Sequence, residues 1–284
     1  MKTGIVGLGL IGGSLALALR RAGYFVVGKN RSRAPVEYAL LHGVIDAAAD
    51  DVSDCDVVFV ALPPEAAAEY ICTAPFKEDA VVADICGVKR YIEREVLARR
   101  PSLKYVGTHP MAGKEVSGVK NACADLFDKA SMVLTSNIYT DQRAYALIKK
   151  LVKDMGFLRM VECSAAVHDQ KIAYTSQLAH VVSSCYVKDG QIEGCLGFTG
   201  GSFQDMTRIA GVDENVWTEL YLKNSDNLCG NIRQLAAHLC EVADAIEGGE
   251  AQSLKALLRA GREQFEERKN NSFQGKDIVT TLLK

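Results

Sequence analysis

The chain has 284 residues, 48% hydrophobic and 24% charged, enough for one large domain or two ordinary ones. A formal net charge of −2 gives no global case for nucleic acid or a membrane surface as partner, and no run is apolar for long enough to span a bilayer. Nine cysteines, an odd number with no C-x-x-C pair, speak for reduced thiols in a cytoplasmic protein and against a disulfide framework or a metal site.

In chain order, residues 2–6 read as a short apolar strand that runs into Gly7-Leu8-Gly9-Leu10-Ile11-Gly12, a G-x-G-x-x-G turn. Residues 14–22, rich in Ala and Leu, read as a helix, and residues 24–28 as a second strand. This strand–turn–helix context is that of a dinucleotide site. Gly7 permits the tight turn, Gly9 lets the backbone approach a pyrophosphate, and Gly12 lets helix and strand pack closely. Leu10 and Ile11 open the helix whose free N–H groups and positive dipole end would face the phosphates. The bland alternative is a structural turn.

The end of the second strand is where NAD enzymes of this type place a carboxylate for the ribose hydroxyls. Here that position is Asn30, within Lys29-Asn30-Arg31-Ser32-Arg33. Two guanidinium groups, an amide and a hydroxyl suit a 2′-phosphate, so the expected cofactor is NADP, with NAD as the alternative. A solvated basic turn would have the same composition. Leu62 and Pro63, past the apolar run 57–61, complete the expected cofactor-binding set.

Apolar runs recur at 80–85, 105–108, 132–134 and 158–161, with helical stretches at 34–41, 92–99 and 144–155. The alternation predicts a doubly wound, mostly parallel Rossmann-type sheet. It stops near Cys163, which puts a boundary between a dinucleotide-binding domain, 1–163, and a helical domain, 164–284, in which no strand is expected. Along residues 225–246, Leu228, Ile232, Leu235, Leu239, Val242 and Ile246 form a heptad-like stripe, equally suited to packing within the subunit or to a subunit interface. Gly248-Gly249 ends that helix, residues 250–267 read as another, and Asn270-Asn271-Ser272 begins a tail with no assignment.

Three clusters could reach a bound cofactor. The first, Gly107 to Gly113 with His109, follows a strand at the end where ligands bind in open α/β sheets. The second joins His168-Asp169 to Ser176-Gln177-Leu178-Ala179-His180. The third is Phe203-Gln204-Asp205-Met206-Thr207-Arg208. Singly, each histidine fits a structural role better than a chemical one, and Arg208 alone would be an ordinary surface or ion-pairing residue.

Together the glycine turn GLGLIGGSLA, HPMAGKEVSG from His109, ADLF from Ala124, HD at His168 and FQDMTRIA with Trp217 resemble the prephenate/arogenate dehydrogenases over residues 2–227. The resemblance implies oxidative decarboxylation of prephenate to 4-hydroxyphenylpyruvate, or of arogenate to tyrosine, in tyrosine biosynthesis. It also implies a Rossmann domain joined to an all-α domain that forms a homodimer, which tips the stripe towards an interface. By position, His109 matches the base that takes the proton of the ring C4 hydroxyl, and Arg208 the arginine that holds a substrate carboxylate. His180 matches a second pocket histidine, and Ser176, Gln177, Asp205 and Trp217 match pocket positions. Two departures stand out. Gly87, in Asp84-Ile85-Cys86-Gly87-Val88-Lys89, occupies the place of a serine near the C4 hydroxyl, and Gln177 the place of a titratable histidine. The competing readings are a β-hydroxyacid dehydrogenase or imine reductase, with a Lys or acidic residue on the interdomain helix, and a non-catalytic dinucleotide-sensing protein.

Overall fold

The computed structural model describes residues 1–188, 190–195, 197–270 and 279–282. The N-terminal half runs β1 (Lys2–Val6), α1 (Leu10–Arg21), β2 (Phe25–Lys29), α2 (Arg33–Leu41), β3 (Ala47–Ala48), β4 (Val57–Val60), α3 (Pro64–Thr73) and β5 (Val81–Asp84). It continues through α4 (Arg90–Arg99), β6 (Lys104–Pro110), β7 (Ser131–Thr135), α5 (Gln142–Asp154) and β8 (Arg159–Cys163). The C-terminal half holds α6 (Ala165–Ile172), α7 (Leu178–Tyr186), α8 (Gly201–Thr207), α9 (Glu214–Lys223), α10 (Ser225–Glu247), α11 (Ala251–Asn270) and a last strand, β9 (Val279–Leu282).

The strands form one sheet in the order β3-β2-β1-β4-β5-β6-β7-β8-β9. Pairing is parallel except between β6 and β7 and between β8 and β9. From β1 the chain winds outward to β3, then returns to β4 on the other side of β1. The switch point, where open α/β sheets bind ligands, therefore lies beside the glycine turn. β4 and β5 are buried on both faces, as the continuous apolar runs require of central parallel strands. One core includes α1 and α5 and the stacked rings of Phe127 and Phe157, with centroids 4.6 Å apart. The other packs α3 and α4 on the opposite face.

The glycine turn fits the close approach read from the sequence. Gly7 has φ +97°, and a Cβ there would lie 2.2 Å from the carbonyl oxygen of Ala61. A Cβ on Gly12 would lie 1.9 Å from the carbonyl oxygen of Gly7. The helix starts at Leu10, four residues before the predicted start, because Gly12 and Gly13 lie inside its first turns, not ahead of them.

After β8 the architecture changes at a capped helix start, where Ser164 Oγ accepts from Val167 N (3.3 Å). α6 and α7 are joined by a π-helical turn, Ala173–Gln177. The expectation of no strand beyond residue 165 fails at β9, which pairs antiparallel with β8 and covers that edge of the sheet. Its four residues, Val279–Leu282, are too few to carry a period, and their partner is distant in sequence. Asn271 and Ser272 lie outside the described residues.

The α10 stripe divides. Leu228 is buried, and Ile232 and Leu235 pack with it against Ala173 and Leu178, whereas Leu239 and Ile246 are exposed. The first half of the stripe is thus packing within the subunit, and the second half leaves Leu239 and Ile246 uncovered, with Val242 half-buried between them.

Replacing Gly12 by Ala tests the turn. Overpacking of this kind costs about 1–3 kcal/mol. Calorimetry should show a lowered Tm, and dinucleotide titration a weakened Kd, since α1 must withdraw from β1. Unchanged values for both would show that the contact is slack.

Candidate functional site

His109 stands next to last in β6, opposite Val133 of β7, at the C-terminal end of its strand. It faces a cavity of about 760 Å³ between the two halves of the chain. The loop from Pro110 to Ser117 forms one wall, and Ser176, Gln177, His180, Trp217 and Leu220 form the other. The π-helical turn delivers the second wall, since its extra residue re-aims Ser176 and Gln177 towards the cavity side. His180 stacks on Trp217 with ring centroids 3.9 Å apart and donates from Nδ1 to the Ser176 carbonyl (2.9 Å). Gln177 is buried, and its amide braces α7 to α9: Nε2 donates to the Leu220 carbonyl (3.3 Å), and Oε1 accepts from Asn224 Nδ2 (2.8 Å).

Behind His109 lies a buried polar cluster. His109 Nδ1 and His168 Nε2 are 2.9 Å apart, and His168 Nδ1 is 2.7 Å from Asp169 Oδ1. The Asp169 carboxylate also accepts from the backbone N–H groups of Lys89 (2.8 Å) and Arg90 (3.0 Å), and from Arg90 Nε (3.3 Å). Those two N–H groups open α4, which has no side-chain cap of its own, so α6 caps α4 in trans. Arg90 reaches on to Asp226 Oδ1 (2.6 Å). Lys89, fully buried, pairs with Asp84 and donates to the Thr108 carbonyl (2.5 Å).

Burial is the main force on these groups. It holds the His109 imidazole well below the usual histidine range, with His168 and Lys89 acting in the same direction. The ring is half-buried and lines the cavity, so burial on its protein side governs. Burial also lowers His168, against the opposing pull of Asp169. For Asp169, burial works against the ionised form, but the hydrogen bonds from His168, Lys89 and Arg90 outweigh it and keep the carboxyl below its ordinary value.

The remaining predicted residues sit elsewhere. Arg208 is exposed and ion-paired with Glu115, a cavity-wall residue, so it stands at the rim. Asp205 is exposed on α8, one turn before Arg208, and is not part of the cavity wall. In the glycine loop, Leu8 N donates to Asn30 Oδ1 (3.0 Å), and Asn30 Nδ2 to the Ser32 carbonyl (3.1 Å). Asn30 therefore ties the turn to the basic loop, while Arg31, Ser32 and Arg33 are exposed beside it. Leu62 and Pro63 follow β4 at the switch point.

A dinucleotide fits this end of the sheet. No atom lies within 4 Å of where a Gly9 Cβ would be, and α1 begins with no acidic side chain and no side-chain cap. Its first N–H groups are thus left for an anion. The His168-Asp169 pair stands in a candidate cluster of the sequence with no contact assigned to it, whereas Lys89 belongs to none of those clusters. The available signal was an Asp at a strand end with a Lys five residues on, a pair that the strand–helix link folds together.

Residues 15–160 match the family described as prephenate dehydrogenase, nucleotide-binding domain, and residues 164–260 match prephenate dehydrogenase, dimerization domain. A prephenate dehydrogenase of Bacillus subtilis (strain 168) is 29% identical over 276 residues, covering 91% of this chain and 74% of the relative. A cyclohexadienyl dehydrogenase of Zymomonas mobilis is 30% identical over 263 residues, 85% of this chain and 87% of the relative. The crystal structure of A. aeolicus prephenate dehydrogenase in complex with hydroxyphenyl propionate and NAD+ has a TM-score of 0.81 at 27% identity, covering 94% of this chain and 98% of that one. Synechocystis arogenate dehydrogenase has a TM-score of 0.79 at 28% identity, covering 94% and 99%.

The two lowered histidines make stability depend on pH. An unfolded histidine titrates near 6.5. A folded pKa below that value means that the unfolded chain binds more protons in this window. The stabilisation is complete above about pH 6.5 and is lost as pH falls from there. Tm should decline below that pH, and His109→Gln should flatten the decline. A variant with the same slope would remove His109 from the cause.

Proposed function

The chain belongs to the prephenate dehydrogenase family, and from that premise we propose that it oxidatively decarboxylates prephenate or arogenate, with hydride transfer to NADP+, in tyrosine biosynthesis. The observation that carries the reading is the placement of His109, from the nucleotide-binding half, in one cavity with His180 and Trp217 from the helical half. The interdomain helices bring Ser176, Gln177 and His180 to that cavity, and no lysine or carboxylate among their described residues joins them. That composition disfavours the β-hydroxyacid dehydrogenase or imine reductase alternative. The paired histidine faces a purely nucleotide-sensing protein would not need.

The nicotinamide, when bound, supplies the hydride acceptor. Gly7, Gly9, Leu10, Ile11 and Gly12 would hold its pyrophosphate at the α1 N-terminus, with Leu62 and Pro63 along the switch point. His109 takes the proton of the C4 hydroxyl as the hydride leaves C4. The ring carboxylate departs as CO2, its bonding pair entering the ring and making it aromatic as the C4 carbonyl pair moves to oxygen, and the resulting phenolate takes a proton back. The protein therefore needs chiefly a base, orientation and anion binding. Arg208 offers a planar fork for a substrate carboxylate. Its pairing with Glu115 is solvent-exposed, and exchanging such a partner costs little. Ser176, Gln177, His180 and Trp217 are assigned to the substrate side, whereas Asp205 stands outside the cavity wall. The odd number of cysteines, with no C-x-x-C pair, fits a reducing, cytoplasmic setting, and no described helix is long and apolar enough to cross a membrane.

Absorbance at the reduced-nicotinamide band with prephenate and with arogenate tests the reaction. His109→Asn should mainly lower kcat, within the span of about 10²–10⁴ typical of general-base catalysis. Arg208→Ala should mainly raise KM by about ten- to a hundredfold, the value of roughly 1.5–3 kcal/mol for a charged hydrogen bond. Near-normal kcat in the first variant would move the base to His180, and an unchanged KM in the second would move the carboxylate site.

Cofactor choice rests on the exposed loop. Arg31→Ala should raise KM for NADP far more than for NAD, since only the former carries the 2′-phosphate. Equal effects would make the loop a bystander.

The assembly is a homodimer through the helical half. The uncovered residues Leu239 and Ile246 of α10 and Leu258 of α11 supply its apolar face. Light scattering should report a dimer, and Leu239→Lys a folded monomer. A Leu239→Lys protein that remains dimeric would place the interface elsewhere.

A further inference from the structure

The hydrogen bonds behind His109 have only one consistent direction. Asp169 is gripped by two backbone N–H groups and by Arg90, so its carboxylate acts as acceptor towards every neighbour. His168 must then donate to it through Nδ1–H. A neutral imidazole protonated on Nδ1 has its lone pair on Nε2. That lone pair meets His109 Nδ1 at 2.9 Å, so His109 carries its proton on Nδ1. Its Nε2 is left as the basic nitrogen.

We propose that His168 is the positioning residue of this site, locking His109 in the tautomer whose Nε2 can accept a proton and steadying the imidazolium that forms by accepting its Nδ1–H. The proposal rests on His109 being the base. When the C4 hydroxyl proton arrives on Nε2, His109 becomes a cation with two N–H donors, one of them still held by His168.

The ion pairs beside the two rings are Asp84 with Lys89 and Asp169 with Arg90. Cys163, at the end of β8, is the remaining titratable group beside His168, and burial pushes its thiol up to about 11, which keeps it neutral. Burial keeps both imidazoles neutral at rest, which the lone-pair chain requires.

The Gly87 side of His109 carries no polar side chain. On the far side of the His109 ring stands Gly87, where a Cβ would lie 3.7 Å from His109 Cε1 and 3.2 Å from Leu220 Cδ2. A serine would be the polar brace at that position. Here the place is walled by Leu220, and neither residue offers a polar side-chain atom. Among the described residues, the hydrogen bond that sets the ring is the one to His168.

Ring-nitrogen NMR on protein with 15N-labelled histidine reads the tautomer without any substrate. At neutral pH the wild-type spectrum, assigned by loss of signal in His109→Asn, should show His109 protonated on Nδ1. A spectrum with the proton on Nε2 overturns the proposal. In kinetics, His168→Leu should lower kcat about a hundredfold, within the general-base range, while KM holds. His168→Gln, whose amide oxygen can accept the Nδ1–H, should recover part of it. Undiminished kcat in His168→Leu, or no recovery in a folded His168→Gln, overturns the proposal. If the leucine variant does not fold, the wild-type spectrum decides. The expected tautomer in a protein that turns over neither prephenate nor arogenate would sink the substrate reading and leave the positioning role standing.

Discussion

One buried carboxylate joins the two halves of this molecule. Asp169 belongs to α6, yet it satisfies the first N–H groups of α4, orients His168 and holds Arg90 against α10. Its burial has a desolvation cost that only this many donors can offset. Removing a partner from such a site typically costs about 3–5 kcal/mol, because the partner left behind stays buried and uncompensated. Lys89 shows the same logic from the other side: it reaches Asp84 and the Thr108 carbonyl with no solvent exposure. The relative placement of sheet and helices, and with it the shape of the cavity, follows from these bonds.

The division of labour between the halves is physical. A parallel sheet supplies a rigid edge where strand ends and the N-terminus of α1 meet, a ready site for a phosphate-bearing cofactor. It does not close a cavity by itself. The helices do that, and the π-helical turn between α6 and α7 puts Ser176 and Gln177 on the cavity side within a few residues of His168. His109 and the His168–Asp169 pair behind it thus arrive from opposite halves, and the cluster is complete only where the two meet.

The two ends of the site differ in rigidity. His109 is backed by a core of fixed hydrogen bonds in a low-dielectric setting, where they are electrostatically strong. Arg208 and the loop Arg31–Arg33 are exposed and ion-paired only at the surface, where such pairs contribute little. The proposed base therefore stands on the stiff part and the proposed anion-binding groups on the adaptable part.

What the sequence determined by itself was local or periodic. The G-x-G-x-x-G turn is legible because Gly12 answers to a steric contact five residues back and Gly7 to its own positive φ, and the strand–helix alternation because burial imposes a period. The motif around His109 and the Phe203-Gln204-Asp205-Met206-Thr207-Arg208 run pointed to the family through their combination. Only the tertiary structure decided the rest. The bond between His109 and His168 spans 59 positions, and the cap that Asp169 places on α4 spans 80. No local rule distinguishes these residues from satisfied core groups. The α10 stripe reads as uniform, yet Leu235 turns inward and Leu239 outward, because α6, α7 and α9 cover only its first half. β9 was invisible for a similar reason, since a four-residue strand is made by the edge it pairs with. Period and turn chemistry are properties of neighbours along the chain, whereas the state of a buried charge depends on which distant groups fold around it.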